Sequence, residues 1–242
     1  MKVVAIIQAR MGSTRLPGKV LRDISGRPML WHVVQRTRAA ETLDEVVVAT
    51  TTEPIDEAIV TFCRDHGFSC FRGSEDDVLD RYYQTALQHS AAAIVRITSD
   101  CPLIDSEIVD KTVRAFLAEQ PDYASNIGVR TYPRGLDTEV MTFSALERAR
   151  REARQPYQRA HVTPYIYENP KQFRILSVTG KEDHSVCRWT VDTPEDLEFV
   201  RAVYSHFPSY QFHWSDVMSL LEREPDLAEI NRSIAQKALH EG

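Results

Sequence analysis

Between Gln8 and Lys19 the chain reads QARMGSTRLPGK. Arg10, Arg15 and Lys19 supply three cations, Ser13 and Thr14 supply two hydroxyls, and Gly12 and Gly18 let the backbone approach a ligand closely. That set suits a bound polyphosphate. The apolar run before it, Val3 to Ile7, is too short for an amphipathic helix and reads as a strand buried on both faces. Donors leaving the C-terminal end of a first strand lie where open α/β sheets hold their ligands. A P-loop would place four residues between its glycine and Gly-Lys, then a Ser or Thr for magnesium. Here five residues stand between Gly12 and Gly18, and Val20 follows Lys19, so a kinase or ATPase is disfavoured. A merely solvated basic loop would have little need of so many donors and glycines beside a buried strand.

Carboxylates come next. The apolar stretch Ala91 to Thr98 predicts a strand ending in Ser99-Asp100-Cys101-Pro102. An aspartate at such an end, followed by a proline that stops regular structure, is placed to hold Mg²⁺. The next helix, with Ile108, Val109, Val113, Phe116 and Leu117 at helical spacing, is better capped by Asp105 or Ser106, which leaves Asp100 without a structural duty. Asp192 is similarly free: Arg188 to Val191 predicts a strand, Thr193 is a strong N-cap and Pro194 suits the first helical position.

The elements that must position these residues alternate. Helical spacing over Met29 to Thr37 follows a turn at Asp23 to Arg27. Glu45 to Thr50 predicts a strand, Ile55 to Cys63 a helix closed by Gly67, and Phe68 to Phe71 a short strand. Arg72 to Tyr83 predicts a helix start with Ser74 as cap and acids in the first turn. Alternating strands and amphipathic helices make a parallel sheet with right-handed crossovers. From 121 to 183 the texture changes to short strand-like pieces (Tyr123 to Ser125, Thr138 to Thr142, Phe173 to Val178) among polar turns, with helical stretches after Phe143 and Pro156. This reads as an insertion leaving the sheet, within a single domain spanning 1–242. Asn126, Arg134, Asp137, Glu139, His161 and Thr163 cluster in it. The tail from Phe207 onward, with Trp214, Val217, Leu220 and Leu221, then Leu227, Ile230 and Ile234, reads as packing or dimer contacts.

A first strand running into A-R-x-x-S-T-R-L-P-G-K resembles the signature of the sugar-activating cytidylyltransferases, the CMP-Kdo and CMP-acylneuraminate synthetases, and most closely the spore coat polysaccharide protein F group. The resemblance implies a three-layer α/β/α, nucleotide-diphospho-sugar transferase-like (Rossmann-like) fold, with a mostly parallel sheet and an inserted dimerisation arm. It implies that Gln8, Ala9, Arg10, Gly12, Ser13, Thr14, Arg15 and Lys19 meet the nucleotide. RGSEDDVLDRY resembles the spore coat version of a segment near the base or ribose, which would carry Gly73, Asp77 and Arg81 there. T-x-D-x-P-L-I and D-T-P-E-D-L-E resemble the family's metal motifs, making Asp100 and Asp192 joint ligands of Mg²⁺. YPRGLDTEV and AHVTPYIY resemble the same group, which implies that Asn126, Arg134, Asp137, Glu139 and His161 meet the second substrate. The spore coat pattern commonly has Glu before that histidine, where this chain has Ala160.

Composition narrows the class. The 242 residues are 43% hydrophobic and 26% charged, as in an ordinary globular protein. A net charge of −6 argues against a nonspecific nucleic-acid binder while permitting a local basic pocket. No apolar run has transmembrane length and the apolar start lacks a cleavage site, so a cytoplasmic protein is expected. Cys63, Cys70, Cys101 and Cys187 form no C-x-x-C pair and fit no zinc spacing.

Taken with these features, the resemblance implies a homodimeric cytidylyltransferase in cell-surface polysaccharide biosynthesis. It would move CMP from CTP to a sugar acid, phosphonate or sugar phosphate with loss of pyrophosphate, Arg10, Lys19, Asp100 and Asp192 carrying the chemistry. A nucleotide-sugar glycosyltransferase is the alternative from another class, although a diphosphate leaving group asks for fewer cations. An idle nucleotide-binding protein is the third reading, disfavoured by both aspartates standing with Lys19.

Overall fold

The structure is a computed structural model that describes residues 1–236. Its strands are β1 (Val3–Gln8), β2 (Asp23–Ile24), β3 (Arg27–Pro28), β4 (Glu45–Thr51), β5 (Ser69–Gly73), β6 (Ala93–Thr98), β7 (Tyr123–Ser125), β8 (Glu139–Thr142) and β9 (Ile175–Ser177). Its helices are α1 (Met29–Arg38), α2 (Glu57–Asp65), α3 (Val78–Gln88), α4 (Ser106–Glu119), α5 (Phe143–Glu152), α6 (Pro156–His161), α7 (Pro164–Tyr167), α8 (Pro194–Ser205), α9 (Trp214–Arg223) and α10 (Asp226–Glu229).

Seven strands form one sheet in the order β5-β4-β1-β6-β8-β7-β9. β5, β4, β1 and β6 run parallel, β8 is antiparallel to β6, and β7 is antiparallel to β8. Alternation along β1 explains the two layers of helix. Val3, Ala5 and Ile7 join a core with α1, α2, α4, α8 and α9, whereas Val4 and Ile6 join one with α3, α5 and α7. Each buried Val or Ile among them contributes about 1.5–3 kcal/mol. From β1 the chain moves one way to β4 and β5, then returns to pair β6 on the other side of β1. The crevice beyond the carboxyl ends of β1 and β6 is therefore the switch point at which doubly wound sheets bind ligands.

Three expectations need correction. The segment 121–183 does not leave the sheet, since β7, β8 and β9 complete it. Three- and four-residue strands among polar turns look like an excursion because their ladder partners lie far away in sequence. Arg188 to Val191 is not a strand: Arg134 and Arg188 make one isolated bridge, and the Val191 amide donates to the Asp100 carbonyl at 2.8 Å. The cap of α3 is Asp77, which accepts from the Asp80 amide, while the Ser74 hydroxyl accepts from the Asp77 amide. The turn expected at Asp23 to Arg27 is present, as a two-residue hairpin with Ser25 and Gly26 at φ 49° and 81°, as a tight hairpin of that hand requires.

Candidate active site

The loop after β1 is folded on itself before any ligand enters. The Met11 carbonyl accepts from the amides of Ser13 (2.9 Å) and Gly18 (3.1 Å), and the Met11 amide donates to Asp56 Oδ1 at 2.7 Å. Leu16 is buried and pins the loop to the core. Gly18 adopts φ 66°, the left-handed conformation that starts a short 3₁₀ turn and aims Lys19 inward. Gln8 ends β1 half-buried, with a buried Oε1 that has no protein partner, and the Ala9 amide donates to the Ala49 carbonyl at 3.1 Å. Arg10, Gly12 and Thr14 are exposed, and the Ser13 hydroxyl accepts from the Leu16 amide.

Lys19 Nζ donates to Asp192 Oδ1 (2.9 Å), Asp100 Oδ2 (3.2 Å) and the Val191 carbonyl (2.8 Å). The Asp192 carboxylate also meets Arg15 and Arg188, each at 3.1 Å. The aspartates, far apart in sequence, come together because the Asp100 carbonyl accepts from Val191 N and Thr190 Oγ1. Asp192 thus arrives on a loop seated against the end of β6. Burial alone would lower the Lys19 pKa, but the two carboxylates offset it and hold the ammonium above its ordinary value. Burial likewise pushes the Asp100 carboxyl up, and Lys19, with hydrogen bonds from Thr98 and Cys101, more than reverses this, leaving it below the usual range. Burial and the neighbouring Asp100 push the Cys101 thiol well up, so it stays protonated and is no nucleophile.

Arg134 and Asp137 border the same crevice. Asp137 holds Arg130 through two bonds of 2.6 and 2.8 Å, and its charge reaches the Cys101 thiol. Arg134 feels the charges of Arg130 and Arg188, which with its burial lower its pKa. Gly135 makes this approach possible: it lies at φ 108°, and a Cβ there would come within 2.7 Å of the Trp189 backbone.

Other expected contacts lie elsewhere. Asn126 is buried and donates to the Leu136 carbonyl while accepting from the Thr138 amide, so both ends of its side chain close the β7–β8 connection. Glu139 is buried, paired with Arg96 and accepting from Tyr123 Oη at 2.6 Å. Both side chains are buried and engaged with protein partners. Asp77 is occupied by its cap and by an ion pair with Arg159. Arg81 is buried near the loop after β1, donating to the Ser74 carbonyl and sensing the charges of Arg10, Asp56 and Glu75. Gly73 is small because a Cβ would meet Arg81 Cγ at 2.9 Å. His161 ends α6 on the α3 side of the sheet, whereas Asp192 leads into α8 on the opposite face. Thr163 is buried at the start of α7.

Sequence reasoning missed Asp56, Arg130, Arg188 and Asp196. Arg188 stands four residues before Asp192, and Asp196 completes a capping box with Thr193; both spacings were readable. Asp56 and Arg130 had no local signal.

Asp196 is wholly buried. Burial raises its pKa, but Arg188, the Asp192 amide and Asn231 pull it below the ordinary carboxylate value. A group with a depressed folded pKa stabilises fully above its unfolded pKa of about 4 and loses that contribution as pH falls through the folded value. Thermal melts of the protein and of Asp196→Asn should therefore differ most near neutrality, and the gap should close as pH is taken below about 4. A gap that is constant with pH would contradict this.

Among the described residues, no helix is long and apolar enough to cross a membrane. The cytidylyltransferase family model matches residues 4–230. The chain is similar to an uncharacterised protein of Methanocaldococcus jannaschii, 40% identical over all of this chain and 99% of that one. It is also similar to the spore coat polysaccharide biosynthesis protein SpsF of Bacillus subtilis, 34% identical over 93% of this chain and 96% of that one. A cytidylyltransferase structure from Leptospira borgpetersenii is 38% identical and superposes with a TM-score of 0.92, over 98% of this chain and all of that one.

Proposed function

The chain belongs to the cytidylyltransferase family, enzymes of the nucleotide-diphospho-sugar transferase fold, and from that premise we propose that it moves CMP from CTP to a sugar acid or related small acceptor, releasing pyrophosphate. Its place would be the cytoplasmic stage of cell-surface polysaccharide synthesis. The observation that carries this reading is the Lys19 ammonium held by three oxygens of Asp100, Val191 and Asp192, at the mouth of the cationic loop.

That oxygen set fits a divalent cation, since a cation of the protein's own already sits in it. Asp100 and Asp192 would hold Mg²⁺, which when bound supplies charge neutralisation at the α-phosphate. Arg10, Ser13, Thr14, Arg15 and Lys19 line the loop that would bind the phosphate chain and stabilise the departing pyrophosphate. In-line attack by an acceptor oxygen needs chiefly alignment. Arg134, with Asp137 and Arg130 beside it, offers a guanidinium to an anionic acceptor, while His161 is assigned a more distant contact with it. A homodimer completes the proposal, with β9 at the sheet edge and Ile175 on it partly exposed.

Pyrophosphate release tests the reading. Four nucleoside triphosphates are screened with Mg²⁺ against sugar acids, phosphonates and sugar phosphates. Release that depends on both CTP and one acceptor is expected, and a nucleotide-sugar glycosyltransferase would give none. Arg134→Gln should raise the acceptor KM about tenfold or more while leaving the CTP KM near wild type. An unchanged acceptor KM would remove Arg134 from that role.

A further inference from the structure

Arg188 lies between two carboxylates, and how its charge is shared decides what Asp192 can do. Its Nε donates to Asp196 Oδ1 at 2.9 Å and its Nη2 to Asp196 Oδ2 at 2.9 Å, while Nη2 reaches Asp192 Oδ2 at 3.1 Å. Asp196 Oδ2 also accepts from the amides of Asp192 (2.9 Å) and Thr193 (3.1 Å). Asn231 Nδ2 donates to Asp196 Oδ1 at 2.9 Å and to the Arg188 carbonyl at 3.0 Å. Helix capping alone would account for the Thr193 contact. It does not account for a two-pronged grip on a guanidinium, nor for an asparagine brought in from beyond α10.

We propose that Asp196 is a positioning residue for the reaction: it takes up the charge of Arg188, and fixes the backbone of Asp192, so that the Asp192 carboxylate stays available to a divalent cation. Asn231 holds Asp196 in that duty, which gives the tail after α10 a part in the active site. A guanidinium prefers a bidentate carboxylate, and here that partner is Asp196. With Asp196 made neutral, the full charge of Arg188 falls on Asp192, which already faces Arg15 and Lys19. Arg188, otherwise shared with Asp196, would then compete with a cation for that carboxylate with its whole charge.

This inference rests on the assignment of Asp192 to a metal, and the test separates the two. Mn²⁺ binding to the nucleotide-free protein is followed by electron paramagnetic resonance, with thermal melts alongside. Asp196→Asn should weaken Mn²⁺ binding roughly tenfold, the usual scale for a partner that orients a metal ligand. Arg188→Gln alone should tighten it, and Arg188→Gln in the Asp196→Asn background should recover most of the loss. A merely structural role for Asp196 would make the two substitutions add in the same direction, which overturns the proposal. Should Asp196→Asn not fold, Asn231→Ala carries the same test, with an expected loss of about threefold and the same recovery by Arg188→Gln. Mn²⁺ binding unchanged in the folded single variant also overturns it. If the unmodified protein binds no Mn²⁺, the metal assignment falls and takes this inference with it.

Discussion

Replacing Asp192 or Asp100 by asparagine should reduce kcat by on the order of 10³-fold or more, with the protein still folded. The reason lies in the charge count around one point. Asp192 meets Lys19, Arg15 and Arg188, and Asp100 meets Lys19 again. An asparagine at 192 leaves three cations facing a neutral amide, and the site then lacks the anion that would hold Mg²⁺. Single-turnover pyrophosphate release, measured over a range of Mg²⁺ concentrations, reads the chemical step directly. Both variants should fail even at high Mg²⁺, while the CTP KM should change far less, since the loop proposed to bind the phosphates is intact. Activity retained in both would sink the metal assignment. Activity restored by raised Mg²⁺ in one would make that aspartate the lesser ligand.

Glu139→Ala should destabilise the fold by about 3–5 kcal/mol, the scale for removing one partner of a buried ion pair. Arg96 on β6 faces Glu139 on β8, and Tyr123 on β7 donates to the same carboxylate. The Arg96 Nε already lacks a protein partner, so the guanidinium would be left buried with little to satisfy it. Burial alone would lower the Arg96 pKa, and Glu139 is what holds it above its ordinary value. For a chain of this size the melting point should fall by roughly 10 °C. A double replacement, Arg96→Met with Glu139→Met, should recover much of the loss, because the desolvation cost of both charges disappears together. A normal melting point with a raised acceptor KM would instead return Glu139 to substrate binding.

These two outcomes mark where local sequence was informative. Asp100 and Asp192 were readable because each stood beside a better cap, Asp105 and Thr193, and both caps are the ones used. The burial of Glu139 and Asn126 was not legible, because a polar residue in a short, weakly periodic segment looks solvent-facing. β7 and β8 pair through ladders that no local pattern announces, and that pairing buries both residues. Arg188 to Val191 misled similarly: its alternation suits a strand, but its amides serve the Arg134 and Asp100 carbonyls.

By itself the sequence determined the parallel half of the sheet, the cationic loop and its distinction from a P-loop, and the two aspartates left free of capping duty. Those are matters of short-range pattern: strand alternation, capping preference and residue spacing each act within a few positions. The tertiary structure alone decided that Lys19 lies between those aspartates, that Asp56 tethers the loop, and that Asn231 reaches Asp196 behind Asp192. Each depends on residues 40 or more positions apart along the chain, or on a tail folding back, and their meeting is set by sheet order and core packing. The loop from Gln8 to Lys19 announces a phosphate; what it does with one depends on carboxylates that only the fold delivers to it.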